Sequence, residues 1–226
     1  MRSPRGGCHG YPRIHVLLQR EGWKVNRKRV YRLYRLEGLS LRRKRPRRHV
    51  TAARRQEREA AVRPNHQWSM DFVSDALFDG RRIRALTLVD NYTREALTIV
   101  VDGGIRGEHV VRAVEQVATQ RGAPGLIRVD NGPEFVSKVL DRWAYERRVT
   151  LDFSRPGKPT DNAFIETFNG RFRDECLNTH WFLSIEDARA KIEAWRQDYN
   201  ASRPHSALGQ LTPQEFATKT ARKGGR

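Results

Sequence analysis

Apolar positions in the first forty residues recur at helical spacing. Ile14, Leu17 and Leu18 mark one helix that begins near Tyr11 and stops near Glu21-Gly22. Val30, Leu33 and Tyr34 mark a second, capped by Asn26 and running to Gly38. Apolar residues almost vanish over 42–58 and return near Pro64 with a different period. Residues 68–73, 82–90 and 95–101 read as strands, and short turns at Asp79-Gly80 and Asp90-Asn91 predict an antiparallel meander. Val110, Val114, Val117 and Ala118 share one face of a helix over 108–121, ended by Gly122. Residues 126–130 and 149–153 read as strands on either side of a helix over 134–147. A polar loop, 154–162, leads into a helix over 163–176. Ser184 with Asp187 caps a helix to Tyr199, and Thr212-Pro213 opens a short last one. Three antiparallel strands followed by alternating helix and strand predict an α/β body with a five-stranded mixed sheet. Trp68, Trp143, Trp181 and Trp195 are assigned to its core.

Charge divides the same chain. Its 226 residues leave room for one or two domains, with 44 Lys+Arg against 26 Asp+Glu and a net charge of +18. Residues 1–60 hold 19 basic and 4 acidic side chains, whereas 61–226 hold 25 and 22. A surplus confined to the first quarter points to a polyanion-binding segment joined to a near-neutral body. A lipid surface fits poorly, because the basic stretch has no Trp/Phe/Leu face, and no apolar run approaches the ~20 residues needed to span a bilayer. Nucleic acid is the partner expected. The organisation read from this is a helix-turn-helix-like DNA-binding segment over 1–41, a basic linker over 42–63 that tracks phosphates, and a body over 64–226. On the second helix Arg27, Lys28, Arg29 and Arg32 are the candidate DNA contacts. Cys8, His9 and His15 lack the paired cysteines of a zinc finger, and reduced thiols are expected.

Three acids in the body sit where chemistry is conceivable. Asp71 lies inside the first strand among apolar residues, where a charge is costly unless paired or bound to a metal. Asp130 ends the fourth strand and starts the turn Asp130-Asn131-Gly132-Pro133-Glu134-Phe135. Glu166 sits early in the helix after the polar loop, with 35 residues between it and Asp130. If the first and fourth strands are neighbours, the three converge at one edge of the sheet. Mutual repulsion would then raise their pKa values, and hard divalent cations resolve it.

These residues carry a resemblance. The triad and its spacing, the Asp130-to-Phe135 run, Gly157-Lys158-Pro159-Thr160-Asp161-Asn162 and the segment 200–208 (NASRPHSAL) together resemble insertion-sequence transposases. The similarity is to their catalytic, second-reading-frame subunit, whose core is like that of retroviral integrases, and it runs from about Gly10 to Ala217. It implies a ribonuclease-H-like fold and a DDE mechanism in which Asp71, Asp130 and Glu166 are catalytic and hold two Mg²⁺ or Mn²⁺ ions about 4 Å apart. The activity implied is cleavage at the 3′ ends of a bacterial element followed by strand transfer, without ATP or a covalent protein–DNA intermediate. Asn131 and Gly132 would aim Asp130; Lys158 and Asn162 would hold terminal nucleotides; Arg173, two turns below Glu166, would touch DNA. The first-turn position that is basic in related integrases is Gly170 here.

The same resemblance implies element ends and target duplex as partners, at least a dimer when ends are synapsed, an upstream-frame subunit, and a cytoplasmic, nucleoid-associated site of action. Relatives carry more chain before Gly10-Tyr11 and an Arg in place of Pro12, which implies a late start or a shortened copy. Two other readings remain at this point: a catalytically silent DNA-binding regulator, and a nuclease of the same fold that cuts without joining.

Overall fold

The computed structural model describes residues 10–39, 59–155 and 162–224. The chain divides into two compact units, Met1–Ala60 and Ala61–Arg226. Residues 40–58, most of the expected basic linker, lie outside the described residues, as do Cys8 and His9.

In the first unit, α1 (Tyr11–Arg20) and α2 (Arg27–Leu36) form a hairpin. Asn26 caps α2 as expected, its side chain accepting from the Lys28 N–H at 2.8 Å. Val30 and Tyr34 are buried, with Tyr11 of α1 packed against the Tyr31 and Tyr34 rings. The His15 imidazole lies 3.1 Å from the Val25 carbonyl oxygen, which anchors the turn between the helices. Arg27, Lys28, Arg29 and Arg32 are all exposed. No acid occupies the first turn of α2, so three cations face the positive end of the helix dipole.

In the second unit, β1 (Gln67–Ala76), β2 (Arg82–Asp90) and β3 (Ala96–Asp102) form the expected meander. Then follow α3 (Gly107–Arg121), β4 (Leu126–Val129), α4 (Lys138–Arg147), β5 (Thr150–Phe153), α5 (Ala163–Glu175), α6 (Ile185–Ser202) and α7 (Pro213–Gly224). The sheet order is β3-β2-β1-β4-β5, with β4 and β5 parallel to β1. Alternation along β1 sends Trp68 and Met70 into a core with α3 and α4, while Val73 joins a second core under α5 and α6. Helices on both faces of this sheet make the ribonuclease-H-like body.

Two expectations need correction. The helix expected from 134 begins at Lys138, because residues 132–136 close a turn instead. The Phe135 and Val136 N–H groups both donate to the Gly132 carbonyl, and Ser137 then caps α4. Trp181 is not in the core: it is 74% exposed, whereas the adjacent Phe182 is 2% exposed. The segment there is extended, so neighbouring side chains point opposite ways. Trp68 and Trp143 are buried, and Trp195 packs against the second core. Among the described residues, no helix is long and apolar enough to cross a membrane.

Candidate active site

Strand pairing brings the two aspartates together. Gln67 pairs with Leu126 and Ser69 with Arg128, an offset of 59 positions that also separates Asp71 from Asp130. Asp130 lies one residue beyond β4. Extending the parallel register by two residues therefore sets it beside Asp71 on the same side of the sheet. Glu166 is on the first turn of α5, which runs along β1. The Asn162 amide at its start donates to the Met70 carbonyl at 3.3 Å, Asn169 reaches Asp71, and the Arg173 guanidinium donates to the Ser74 carbonyl at 3.1 Å.

Each carboxylate is held differently. Asp71 is half-buried; its Oδ1 accepts from the Phe72 N–H at 2.7 Å and its Oδ2 from the Asn169 amide at 2.8 Å. Thr87, opposite Asp71 on β2, donates to Asn169 Oδ1 at 2.9 Å and lies 3.1 Å from the Asp71 carbonyl. That fixes the amide with its N–H side toward the carboxylate. Asp130 Oδ1 accepts from the Gly132 N–H at 2.9 Å, and a Cβ on Gly132 would sit 3.0 Å from that oxygen. Such an approach is tighter than ordinary packing, so glycine is what lets the turn fold back on Asp130. Asp130 and Glu166 are both exposed.

Burial raises the Asp71 carboxyl above its ordinary pKa, and the charges of Asp130 and Glu166 push the same way. The Phe72 N–H and the Asn169 amide oppose them. The charges of Asp130 and Glu166 thus both reach Asp71. Among the described residues no group of three acids, histidines or cysteines is drawn close enough to hold a metal ion. The trio is open.

The expected DNA-contact residues differ in their surroundings. Asn131 is exposed and its amide donates to the Ser154 carbonyl at 2.7 Å, tying the Asp130 turn to the end of β5. Asn162 is 7% exposed and turned toward β1. Arg173 is exposed beside β1, and Lys158 lies outside the described residues. Arg27 rests over the Tyr11 ring, 5.4 Å from its centroid.

Sequence reasoning missed four participants. Thr87 orients Asn169. Arg84 on β2 pairs with Glu134 in the Asp130 turn, holding that carboxyl below its ordinary pKa. Glu175 and Arg203 form a buried ion pair where α5 and α6 end. For Thr87 and Arg84 the signal was alternation along β2, readable only once its register with β1 is known. A cavity of about 690 Å³ beside α7 is lined by Thr212, Lys219 and Arg222 among others, and by none of the trio.

Two family profiles, each described as "Integrase core domain", match residues 61–159 and 147–213, and one described as "HTH-like domain" matches 4–47. The chain is 56% identical over 210 residues to the insertion element IS407 uncharacterized 31.7 kDa protein of Burkholderia multivorans, spanning 93% of this chain and 76% of that one. The chain belongs to the insertion-sequence transposase family. A second relative of this transposase, the insertion element IS476 uncharacterized 39.2 kDa protein of Xanthomonas euvesicatoria, is 49% identical over 208 residues, 92% of this chain and 60% of that one. Transposase InsF for insertion sequence IS3A of Escherichia coli is 25% identical over 223 residues, 93% of this chain and 77% of that one.

Solved structures bear on the fold of the transposase. A chain of the simian T-cell lymphotropic virus intasome superimposes with a TM-score of 0.58 at 15% identity, covering 91% of this chain and 70% of that one. The HTLV-2 integrase catalytic core domain, solved in complex with magnesium in a trimeric form, gives 0.53 at 17% identity, covering 69% and 98%. The sheet with its flanking helices is the integrase-type, ribonuclease-H-like fold.

Proposed function

We propose that this transposase cuts DNA at the 3′ ends of its element and joins those ends to a target, with Asp71, Asp130 and Glu166 as the catalytic, metal-binding carboxylates. The observation that carries the reading is placement: strand register sets Asp71 and Asp130 side by side, and α5, held to β1 through Asn169 and Asp71, bears Glu166. Oxygen-only donors of this kind suit hard divalent cations such as Mg²⁺ or Mn²⁺, whose charge reverses the repulsion among the acids. The magnesium in the HTLV-2 integrase core is consistent with that choice. Two such ions, when bound, would activate the attacking oxygen and stabilise the leaving 3′ oxygen.

The chain's own residues supply placement. Asn169 and the Phe72 N–H keep Asp71 aimed and favour its charged form against its burial, and the Gly132 N–H holds Asp130. In cleavage, a water oxygen forms a bond to phosphorus as the bond to the 3′ oxygen breaks, and that oxygen leaves as a 3′-OH. In joining, the freed 3′-OH attacks a second phosphodiester in line and one 3′-OH of the target is released. Each step exchanges one P–O bond for another, so no nucleotide cofactor is consumed.

DNA ends and target duplex are the partners. Arg27, Lys28, Arg29 and Arg32, lying on a helix whose first turn lacks any acid, gain most from phosphate. Asn131, Asn162 and Arg173 are assigned to DNA near the carboxylates, each by exchanging its present carbonyl partner when the ends arrive, and Lys158 is assigned to DNA as well. Holding two ends requires at least two copies, acting in the bacterial cytoplasm on the nucleoid, with an upstream-frame subunit as a further partner. An oligonucleotide assay with labelled element ends tests the whole reading. Mg²⁺-dependent cleavage and strand transfer, abolished by EDTA and by Asp71→Asn, is expected. Cleavage without joining would leave a nuclease, and neither product would leave a DNA-binding regulator.

A further inference from the structure

The turn that carries Asp130 also carries a second carboxylate, Glu134. One of its oxygens, Oε2, lies 3.4 Å from the point a Cβ on Gly132 would occupy, and Asp130 Oδ1 lies 3.0 Å from the same point. Two acids thus flank one backbone position. The other Glu134 oxygen, Oε1, is taken by Arg84 of β2. The Arg84 guanidinium also lies over the Phe72 ring, 4.1 Å from its centroid, and Phe72 stacks on Phe135 with centroids 5.0 Å apart. Phe72 directly follows Asp71, and Phe135 is fully buried in the Asp130 turn. Arg84 therefore touches both segments that bear the aspartates, through a ring on one and a carboxylate on the other.

Resting on the assignment of the trio to metal, we propose that Arg84 is a positioning residue. It holds Glu134 away from the metal-binding carboxylates, so that the site offers three acids rather than four. A flexible fourth carboxylate beside Asp130 would compete for the same cations and draw them off the reacting phosphate. Arg84 suits the task because a planar, always-charged fork can clamp a carboxylate and lie on an aromatic face at once.

A double-mutant cycle on the full chain tests this, read by Mn²⁺ calorimetry and by Mg²⁺-dependent end cleavage. Freeing Glu134 with Arg84→Gln is expected to tighten Mn²⁺ binding by about threefold or more while cleavage falls about tenfold or more. Adding Glu134→Gln removes the freed acid, so both quantities should return to within about threefold of wild type. A double variant as impaired as the single overturns the proposal and leaves a purely structural pair. Unchanged Mn²⁺ binding in Arg84→Gln with a lasting cleavage defect also overturns it, in favour of a direct DNA contact. Should Arg84→Gln fail to fold, Arg84→Lys keeps the charge without the fork and must show the same opposed shifts, smaller in size. Asp130→Asn separates the two levels. If that variant binds Mn²⁺ normally, the trio assignment itself fails; if it does not bind and the cycle shows no recovery, only the role of Arg84 falls.

Discussion

Removing one charge from the ion pair between Glu175 and Arg203 should loosen the helix that carries Glu166. Glu175 ends α5 nine positions after Glu166, and Arg203 immediately follows α6. Their side chains are only 4% and 5% exposed, and the guanidinium meets both carboxylate oxygens, one at 2.6 Å. Arg203 also lies over the Tyr199 ring, 5.5 Å from its centroid. Glu175→Gln keeps the shape and hydrogen-bonding capacity but leaves a guanidinium charge buried without its counter-charge. Losing one partner of such a pair costs about 3–5 kcal/mol. For a chain of this size each kcal/mol lowers Tm by about 2–4 °C, so a fall of about 6–20 °C is expected. Thermal unfolding followed by far-ultraviolet circular dichroism reads it directly. Replacing both partners, as Glu175→Leu with Arg203→Met, should cost less than either single change, because no orphan charge remains. A Glu175→Gln protein melting within about 2 °C of wild type would refute the claim that this pair locks α5 to α6.

Three further outcomes follow from the site and the basic segment. Asp130→Asn should abolish Mg²⁺-dependent end cleavage while leaving salt-sensitive DNA binding intact; normal turnover in a cleavage assay would remove Asp130 from the site. Changing Arg27, Lys28, Arg29 and Arg32 to Gln should flatten the log–log salt dependence of DNA affinity by about 0.9 for each phosphate no longer neutralised, and an unchanged slope in a binding titration would mean that α2 is not the anchor. Because the folded-state pKa of Asp71 is raised, its contribution to stability is complete below the ordinary carboxylate range and is lost as pH climbs through the raised value. Mn²⁺ should therefore raise Tm at neutral pH and lose that effect toward about pH 4, where carboxyls bind protons instead; a shift independent of pH would contradict it.

How legible this was in the sequence varied by element. The meander and the order of helices and strands followed from periodicity, and Asn26 and Ser184 announced their helices, each capping through its side chain. The start of α4 was hidden because Glu134 and Phe135 look helical, while the Gly132 carbonyl captures two N–H groups and Ser137 takes over the cap. Trp181 was misplaced because hydrophobicity says nothing about direction; in an extended stretch Phe182 turns in and Trp181 and Leu183 turn out. The acids were recognisable from their contexts, whereas their neighbours were not. Arg203, within the segment 200–208, meets its partner 28 residues away, and Arg84 meets Glu134 at a separation of 50. Pairings of that kind leave no local pattern, since the fold alone decides which cation faces which acid.

Two hydrogen-bonded strands, rather than the chain between them, keep Asp71 and Asp130 side by side. Length changes in the intervening hairpins and around α3 leave that spacing alone. The exposed Asp79-Gly80 turn, where Gly80 has a φ of 85°, is accordingly a natural graft point for a foreign module meant to redirect insertion. One residue added inside β4 is another matter, because it would carry the second aspartate to the opposite face of the sheet, away from Asp71.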